Sequence, residues 1–353
     1  MKRLLSLLAS RLSCLNIAPI IEEQLDSQIA TTAWSSPQHG FNVGTLNLQR
    51  HTVEFLSAAA TYGAKRVRVF VPMGTEELPP VFNEQDISNA RTFAMRAAEA
   101  GLTVVFVPER SADPSSRLWI DQGKHFADAW AMLASGLQGL PNVVGYDLLN
   151  EPNPPWVDGT QASSSRLWEQ IVELTCRAIR AVDDKTPIVI EGIAGGGPEG
   201  AALLRLPNNI SNLVLSIHLY LPHEITHQRV WPQWPGVHPY PNESLAAENP
   251  VHAGRWDKQR LRELLSMVPD TVPVYVGEFS CVRWAPGSSA LNYISDCIDL
   301  FAERGWSWDY HEFRGWPGWD AEADGPDLTE TARSSSTARI VRLAAGFGAS
   351  KGS

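Results

Sequence analysis

Two short stretches place a glutamate where an apolar run stops. VVGYDLLNEP (143–152) reaches Asn150 and Glu151, and PVYVGEF (273–279) reaches Gly277 and Glu278. A carboxylate that ends an otherwise buried run is costly to desolvate, so a use for it is expected. Other polar residues lie in or at the end of similar runs: Arg68 within RVRVFV (66–71), His218 and Tyr220 at the end of LVLSIHLY (213–220), and His311 after Trp306 and Trp308 in WSWDYH (306–311). Two carboxyl groups that face each other, with no metal-binding motif, suit glycoside hydrolysis. One is protonated to help the leaving oxygen depart. The other is ionised, either to attack the anomeric carbon or to activate water. Arg68 and Tyr220 are placed to hold one glutamate ionised by charge and hydrogen bonding. His218 is placed to orient substrate or to modulate the acid.

For these residues to meet, the runs that carry them must share one end of a single sheet. Strand-like runs fall at 39–44, 66–71, 103–107, 143–149, 187–191, 213–219, 273–279 and 306–311. Helical patterns fall between them, most clearly at 48–62, 86–100, 122–137, 163–183, 255–267 and 290–304, with 331–347 closing the chain. Repeated strand-then-helix units predict an α/β fold, a (β/α)8 TIM barrel with a long loop after the sixth strand. The competing doubly wound sheet wants a GxGxxG turn after its first strand, and GFNVGTLNL is not one. The cluster GIAGGGPEG (192–200) lacks the Lys-Ser/Thr of a phosphate loop and reads as a flexible loop. In a closed ring of eight, Glu151 and Glu278 end strands three apart and so face each other across the barrel mouth. Residues 222–254 are too many for a plain link. With Trp231, Trp234 and Tyr240 they read as an insertion that supplies sugar subsites.

The formal net charge of −10 disfavours nucleic acid and anionic membranes as partners and suits a neutral substrate. Thirteen tryptophans offer flat surfaces for stacking on sugar rings. Cys14, Cys176, Cys281 and Cys297 form no CxxC and read as free thiols. No stretch approaches the ~20 apolar residues of a membrane span. Residues 1–35 read as an N-terminal segment with a weak signal character: Lys2 and Arg3 precede an apolar run that Arg11 interrupts. The expectation is one catalytic domain over 36–348, in a secreted or periplasmic monomer.

GFN at 40–42, Arg68 in RVRVF, DLLNEP at 147–152, SIHLY at 216–220, VYVGEFS at 274–280 and WSWDYHEF at 306–313 together carry a resemblance. The chain resembles glycoside hydrolase family 5, the cellulase-like members of the clan of retaining (β/α)8 glycosidases. The resemblance covers residues 39–315. It implies Glu151 as acid/base and Glu278 as nucleophile, with Asn150 on the sugar 2-hydroxyl and Arg68, His218 and Tyr220 in support. It implies a retaining, endo-acting hydrolase of a β-glucan, first an endo-β-1,4-glucanase. β-Mannan, mixed-linkage glucan and xyloglucan are alternatives, and neither a metal nor an organic cofactor is implied. Two positions depart from the pattern. The third strand ends in Glu109 and Arg110 where the family often has a histidine. His311 falls where the family presents a tryptophan platform, which leaves Trp308, Trp316 or Trp319 to stack. Trp156, Trp231, Trp234, Trp308, His311 and Trp316 are therefore the candidates for substrate binding. A metal-dependent barrel hydrolase would instead draw on His218, His223, His227 and His238, but no HxH pair ends the first strand. A sugar-binding protein without catalysis is the third class, and the intact glutamate pair weighs against it.

Overall fold

The computed structural model describes residues 34–74, 79–110, 113–156, 158–247, 252–329 and 332–348. The N-terminal segment, Cys14 with it, lies almost wholly outside the described residues. The strands in chain order are β1 (His39–Thr45), β2 (Arg66–Pro72), β3 (Thr103–Glu109), β4 (Val143–Asp147), β5 (Ile188–Glu191), β6 (Leu213–Leu219), β7 (Asn242–Leu245), β8 (Gly254–Trp256), β9 (Val274–Phe279) and β10 (Ser307–Tyr310). Eight of them pair in parallel and close into a barrel in the order β1-β10-β9-β6-β5-β4-β3-β2. The expected (β/α)8 architecture is therefore present. The remaining two, β7 and β8, form an antiparallel pair inside the long insertion after β6, which the sequence pattern did not reveal.

Several helices start where a side chain takes up a free backbone N–H. Thr52 caps α1 (Val53–Thr61), and Asn83 forms a capping box with Asp86 at the start of α2 (Glu84–Glu99). The first of these begins later than its apolar pattern, because Asn47–His51 closes into a turn before the cap. Helices α3 (Gly123–Leu137) and α4 (Gln161–Arg180) follow, the second capped by Thr160. Two short helices, α5 (Pro198–Leu203) and α6 (His223–Thr226), come next. Asp257 caps α7 (Lys258–Leu265), which starts three residues after the expected position because Gly254–Trp256 is spent on β8. The chain finishes with α8 (Ser289–Arg304) and α9 (Ala338–Gly348). Among the described residues no helix is long and apolar enough to cross a membrane. Cys176, Cys281 and Cys297 are buried free thiols, as their spacing predicts.

Strand alternation divides the core in two. Outward-facing residues such as Phe41, Val67, Ile190, Ile217 and Val276 pack against the helices. Inward-facing Val105, Val144, Val189, Val214 and Tyr275 fill the lower barrel together with Trp34. Above them the lumen turns polar. Arg66 lies between the rings of Trp34 and Tyr275, 4.4 and 4.5 Å from their centroids, and pairs with Asp309. One step up β2, at the same inward phase, is Arg68. This layering puts the charged layer at the C-terminal mouth, on a packed apolar and ion-paired base that cannot shift without disrupting the barrel.

Candidate active site

Arg68 is the hub of the mouth. It is fully buried and uses all five guanidinium donors. Its Nε donates to Asp147 Oδ2 (2.8 Å), Nη1 to Asn42 Oδ1 (3.0 Å) and Glu278 Oε1 (2.7 Å), and Nη2 to Asn150 Oδ1 (3.0 Å) and Glu191 Oε1 (3.2 Å). One side chain thereby fixes groups from β1, β4, β5 and β9. The negative groups around it hold Arg68 well above its ordinary pKa, against the opposing effect of burial.

Glu278 reaches the lumen through a register irregularity. Tyr275 and Gly277 face inward, so strict alternation would send Glu278 to the helices. The β6–β9 pairing shifts between Ile217 and His218, and Glu278 turns inward opposite His218. Its Oε2 accepts from the Tyr220 hydroxyl at 2.8 Å and lies 3.4 Å from His311 Nδ1. Burial alone would raise its pKa. The charges of His311, His218 and Arg68 and the Tyr220 hydrogen bond prevail and bring it down to about 2.

Glu151 occupies the opposite wall in a different environment. Its side chain is 39% exposed to the cleft, against 7% for Glu278. Its backbone is left-handed, with φ 50°, a strained state for a glutamate. The conformation is held by its own N–H, which donates to Glu191 Oε2 at 2.9 Å. Glu151 Oε1 lies 2.9 Å from His218 Nδ1. Its pKa is pushed up by burial and by the charges of Glu278 and Glu191, with His218 opposing. One oxygen of Glu151, one of Glu278 and a nitrogen of His218 all lie within 4.8 Å of one another. The two glutamates are therefore paired closely and tuned in opposite directions.

That triad is also the only group among the described residues with the donor spacing for a metal ion. The charge a metal would supply is already there: Arg68 holds Glu278 Oε1, and His218 faces both glutamates. His223 and His227 lie in the cleft wall and not in the triad. Burial and the neighbouring His252 pull His223 down to about 4, and burial with His223 and His311 keeps His227 low as well.

The cleft beside the pair, of about 460 Å³, is lined by Trp231, Trp234, Trp319, His223, His227 and His311, with Glu151, Tyr220 and Glu278. Its aromatic wall is self-supporting: Trp234 stacks on His223 at 5.1 Å and Trp231 on His227 at 5.3 Å. A second cleft of about 400 Å³ shares His311 and continues past Asn150 along Thr45, Phe70, Glu109, Arg110 and Glu312. The two make one groove across the mouth. A larger depression of about 510 Å³ lies at the other end of the barrel, at Trp34, Pro187 and Pro273, and no ionisable side chain lines it.

Several sequence expectations change here. Trp308 is not a stacking platform. It is 1% exposed and packs outward, between His39 at 4.4 Å and Phe347 at 5.0 Å, because Asp309 takes the inward position on β10 to meet Arg66. Trp316 packs behind Trp319 at 4.7 Å, and Trp319 is the ring in the cleft. Trp156 stands 58% exposed on the loop after β4, outside both clefts. Tyr240 is buried and anchors the insertion through Asp296 and Ser289, so it is no subsite residue. Arg110 is buried and donates to Met73 O and Gln122 Oε1, while Glu109 borders the groove. The glycine cluster packs against the site. At Gly196 (φ +69°) an added Cβ would fall 2.4 Å from Glu191 Oε2, and its carbonyl accepts from His218 N.

Asn42, Asp147 and Glu191 were missed as site residues. Glu191 carried the same mark as the two glutamates that were found, a carboxylate ending an apolar run. Asp147 is raised to about 7, by burial first and by Glu191, with Arg68 opposing.

The comparisons agree with this geometry. Residues 29–315 match the family model for cellulase (glycosyl hydrolase family 5). A structure of Thermotoga maritima Cel5A with cellobiose is 21% identical and superposes with TM-score 0.68, over 89% of this chain and 98% of that one. A hyperthermophilic endo-beta-1,4-glucanase in complex with substrate is 18% identical, with TM-score 0.68 over 88% and 99%. The cellulose synthase subunit Z of Clostridioides difficile is 17% identical, with TM-score 0.65 over 87% and 99%. At these identities the structural likeness speaks for the fold. The family match spans most of the chain, and with the barrel and its paired glutamates it establishes that the protein is a glycoside hydrolase belonging to the cellulase family, glycosyl hydrolase family 5.

Proposed function

We propose that the protein is an endo-acting, retaining β-1,4-glucanase with Glu278 as nucleophile and Glu151 as acid/base. The observation that carries the reading is the close approach of the two carboxyl groups, with one oxygen of each within 4.8 Å of the other, in opposite electrostatic settings. Retaining enzymes hold the pair ~5–5.5 Å apart, whereas inverting ones leave ~6.5–9.5 Å for an intervening water. Glu278 is ionised and pinned at both oxygens, ready to attack. Glu151 keeps its proton to higher pH and opens onto the cleft.

In the first step a Glu278 oxygen bonds to the anomeric carbon as the glycosidic bond breaks, and the Glu151 proton passes to the departing oxygen. In the second step Glu151, now a carboxylate, takes a proton from water. The water oxygen bonds to the anomeric carbon and frees Glu278. Asn150 Oδ1 accepts from Arg68 Nη2, which leaves the amide N–H groups of Asn150 for the sugar 2-hydroxyl. Tyr220 donates its hydroxyl to Oε2 of the nucleophile. His311 is shared by both clefts and contacts the sugar at the cleavage point. A groove that passes the pair on both sides suits internal cleavage of a chain.

β-Mannan is the second reading, because Thermotoga maritima Cel5A has been crystallised with mannotriose as well as cellobiose. A reducing-sugar assay on β-1,4-glucan, mixed-linkage glucan, xyloglucan and β-mannan, with and without EDTA, tests the proposal. We expect highest activity on β-1,4-glucan and no effect of the chelator. Preference for mannan moves the assignment to the second reading, and EDTA inactivation reversed by a divalent cation contradicts the mechanism.

The insertion supplies the aromatic wall. Trp231→Ala with Trp234→Ala is expected to weaken binding of long oligosaccharides by ~1.5–3 kcal/mol for each stacked ring lost, on the scale of burying one large apolar side chain. KM for long substrates should rise while that for short ones barely changes. Equal effects on both lengths would make these rings structural supports of the cleft.

A further inference from the structure

Double displacement uses two glutamates, yet a third ends a strand in the same ring. Glu191 is fully buried at the end of β5. One of its oxygens accepts from the Glu151 backbone N–H at 2.9 Å, and the other takes Arg68 Nη2 at 3.2 Å. That same oxygen also lies 3.2 Å from His218 Nε2, off the line of a straight hydrogen bond, so charge is what couples them. The other ring nitrogen of His218 faces Glu151. Space for this arrangement is built in: a Cβ at Gly196 would strike Glu191, and one at Gly277 would come within 2.9 Å of His218 Nε2.

We propose that Glu191 is a positioning residue for the acid/base, which fixes the Glu151 backbone and offsets the charge of the imidazole that touches the Glu151 carboxyl. The inference rests on the reading of Glu151 as the acid. A cationic His218 at 2.9 Å would on its own drive Glu151 to ionise. Glu191 sits on the far side of the ring and counters that pull. Consistent with this, His218 is held well above its ordinary pKa, against burial, by Glu191 first and Glu278 next, while Glu151 still lies above its own ordinary value. The other charged or titratable groups facing this cluster are Arg68 from β2, Asp147 from β4, Tyr220 after β6, Glu278 from β9, and His311 and Glu312 after β10. They are the same in wild type and variant, so a change in titration reports on Glu191.

The test is Glu191→Gln, which keeps the shape and removes the charge. With one negative charge fewer, the Glu151–His218 pair sheds its proton earlier. The basic limb of the kcat/KM profile should move down by about one pH unit. Hydrolysis of substrates with poor leaving groups should fall about tenfold further than that of an activated aryl glycoside, which needs no acid. Glu191→Asp keeps the charge and should leave the basic limb near its wild-type position despite a lower kcat. An unmoved limb in Glu191→Gln, with both substrate types slowed alike, overturns the proposal. If Glu191→Gln does not fold, nitrogen-15 NMR of the wild-type histidines decides. An imidazolium at His218 at pH 7 supports the proposal, and a neutral ring overturns it. If Glu151→Ala and Glu278→Ala show Glu151 to be the nucleophile and Glu278 the acid, the reading of Glu151 fails first, and this inference with it.

Discussion

Glu278→Ala is expected to abolish hydrolysis, and azide is expected to restore turnover of an activated aryl β-glycoside with an α-glycosyl azide as product. The side chain that would form the covalent bond is gone, so azide occupies its space and attacks the anomeric carbon once, with one inversion. Glu151→Ala should behave differently. Its glycosyl-enzyme still forms, because Glu278 keeps Arg68 and Tyr220 as partners. Azide then attacks that intermediate, and two inversions give a β-glycosyl azide. With natural substrates Glu151→Ala should lose the ~10²–10⁴-fold that general acid–base help supplies, and Glu278→Ala should lose more. Proton NMR of the two azides assigns each glutamate separately. Exchanged products would exchange the roles.

Arg68→Met should damage the fold as well as the activity. Arg68 is fully buried among Asp147, Glu191 and Glu278, and each loses this counter-charge in the variant, with His218 left beside Glu191 and Glu278 and His311 beside Glu278. Removing one partner of a buried ion pair costs ~3–5 kcal/mol, and here three carboxylates are exposed to that penalty. The pH dependence of stability should tilt further toward low pH, the direction that Asp147, raised to about 7, already favours in the wild type. In the wild type, Glu278 has its pKa lowered from 4.5 to about 2, so its contribution is complete above 4.5 and is lost as pH falls toward 2. Without Arg68 the buried carboxylates hold their protons more tightly in the folded state than in the unfolded one. Stability then falls as pH rises through the carboxylate range toward neutrality. Thermal unfolding of both proteins between pH 4 and 8 measures this. A variant as stable as the wild type at pH 7 would show that Arg68 is not the hub of the mouth.

Much of this site was legible in the sequence, for a physical reason. A parallel barrel strand is buried on both faces, so a charged residue at its end stands out against the apolar run before it. Glu151, His218 and Glu278 stand out that way and Arg68 by its charge within an apolar strand, and the structure brings all four together. Glu191 carries the same contrast at the end of PIVIE (187–191), directly before the glycine cluster. Those glycines give way to its carboxylate and to the turn before α5. Trp308 was misplaced for a complementary reason. Aromatic content near an expected platform does not say which face of the strand a ring takes, but the phase set by Asp309 does. The β7–β8 pair and the clamping of the insertion by Gln228, Tyr240 and Trp284 depend on contacts between distant residues, and local composition carries little trace of them.

The paired, oppositely tuned glutamates imply retention, and the anomeric configuration of the first products of wild-type hydrolysis tests this most directly. Proton NMR during the first minutes on a β-1,4-linked oligosaccharide, before mutarotation, is predicted to show the new reducing end appearing as the β-anomer and drifting toward the α/β equilibrium. Initial accumulation of the α-anomer would contradict the double displacement and the roles given to Glu151 and Glu278.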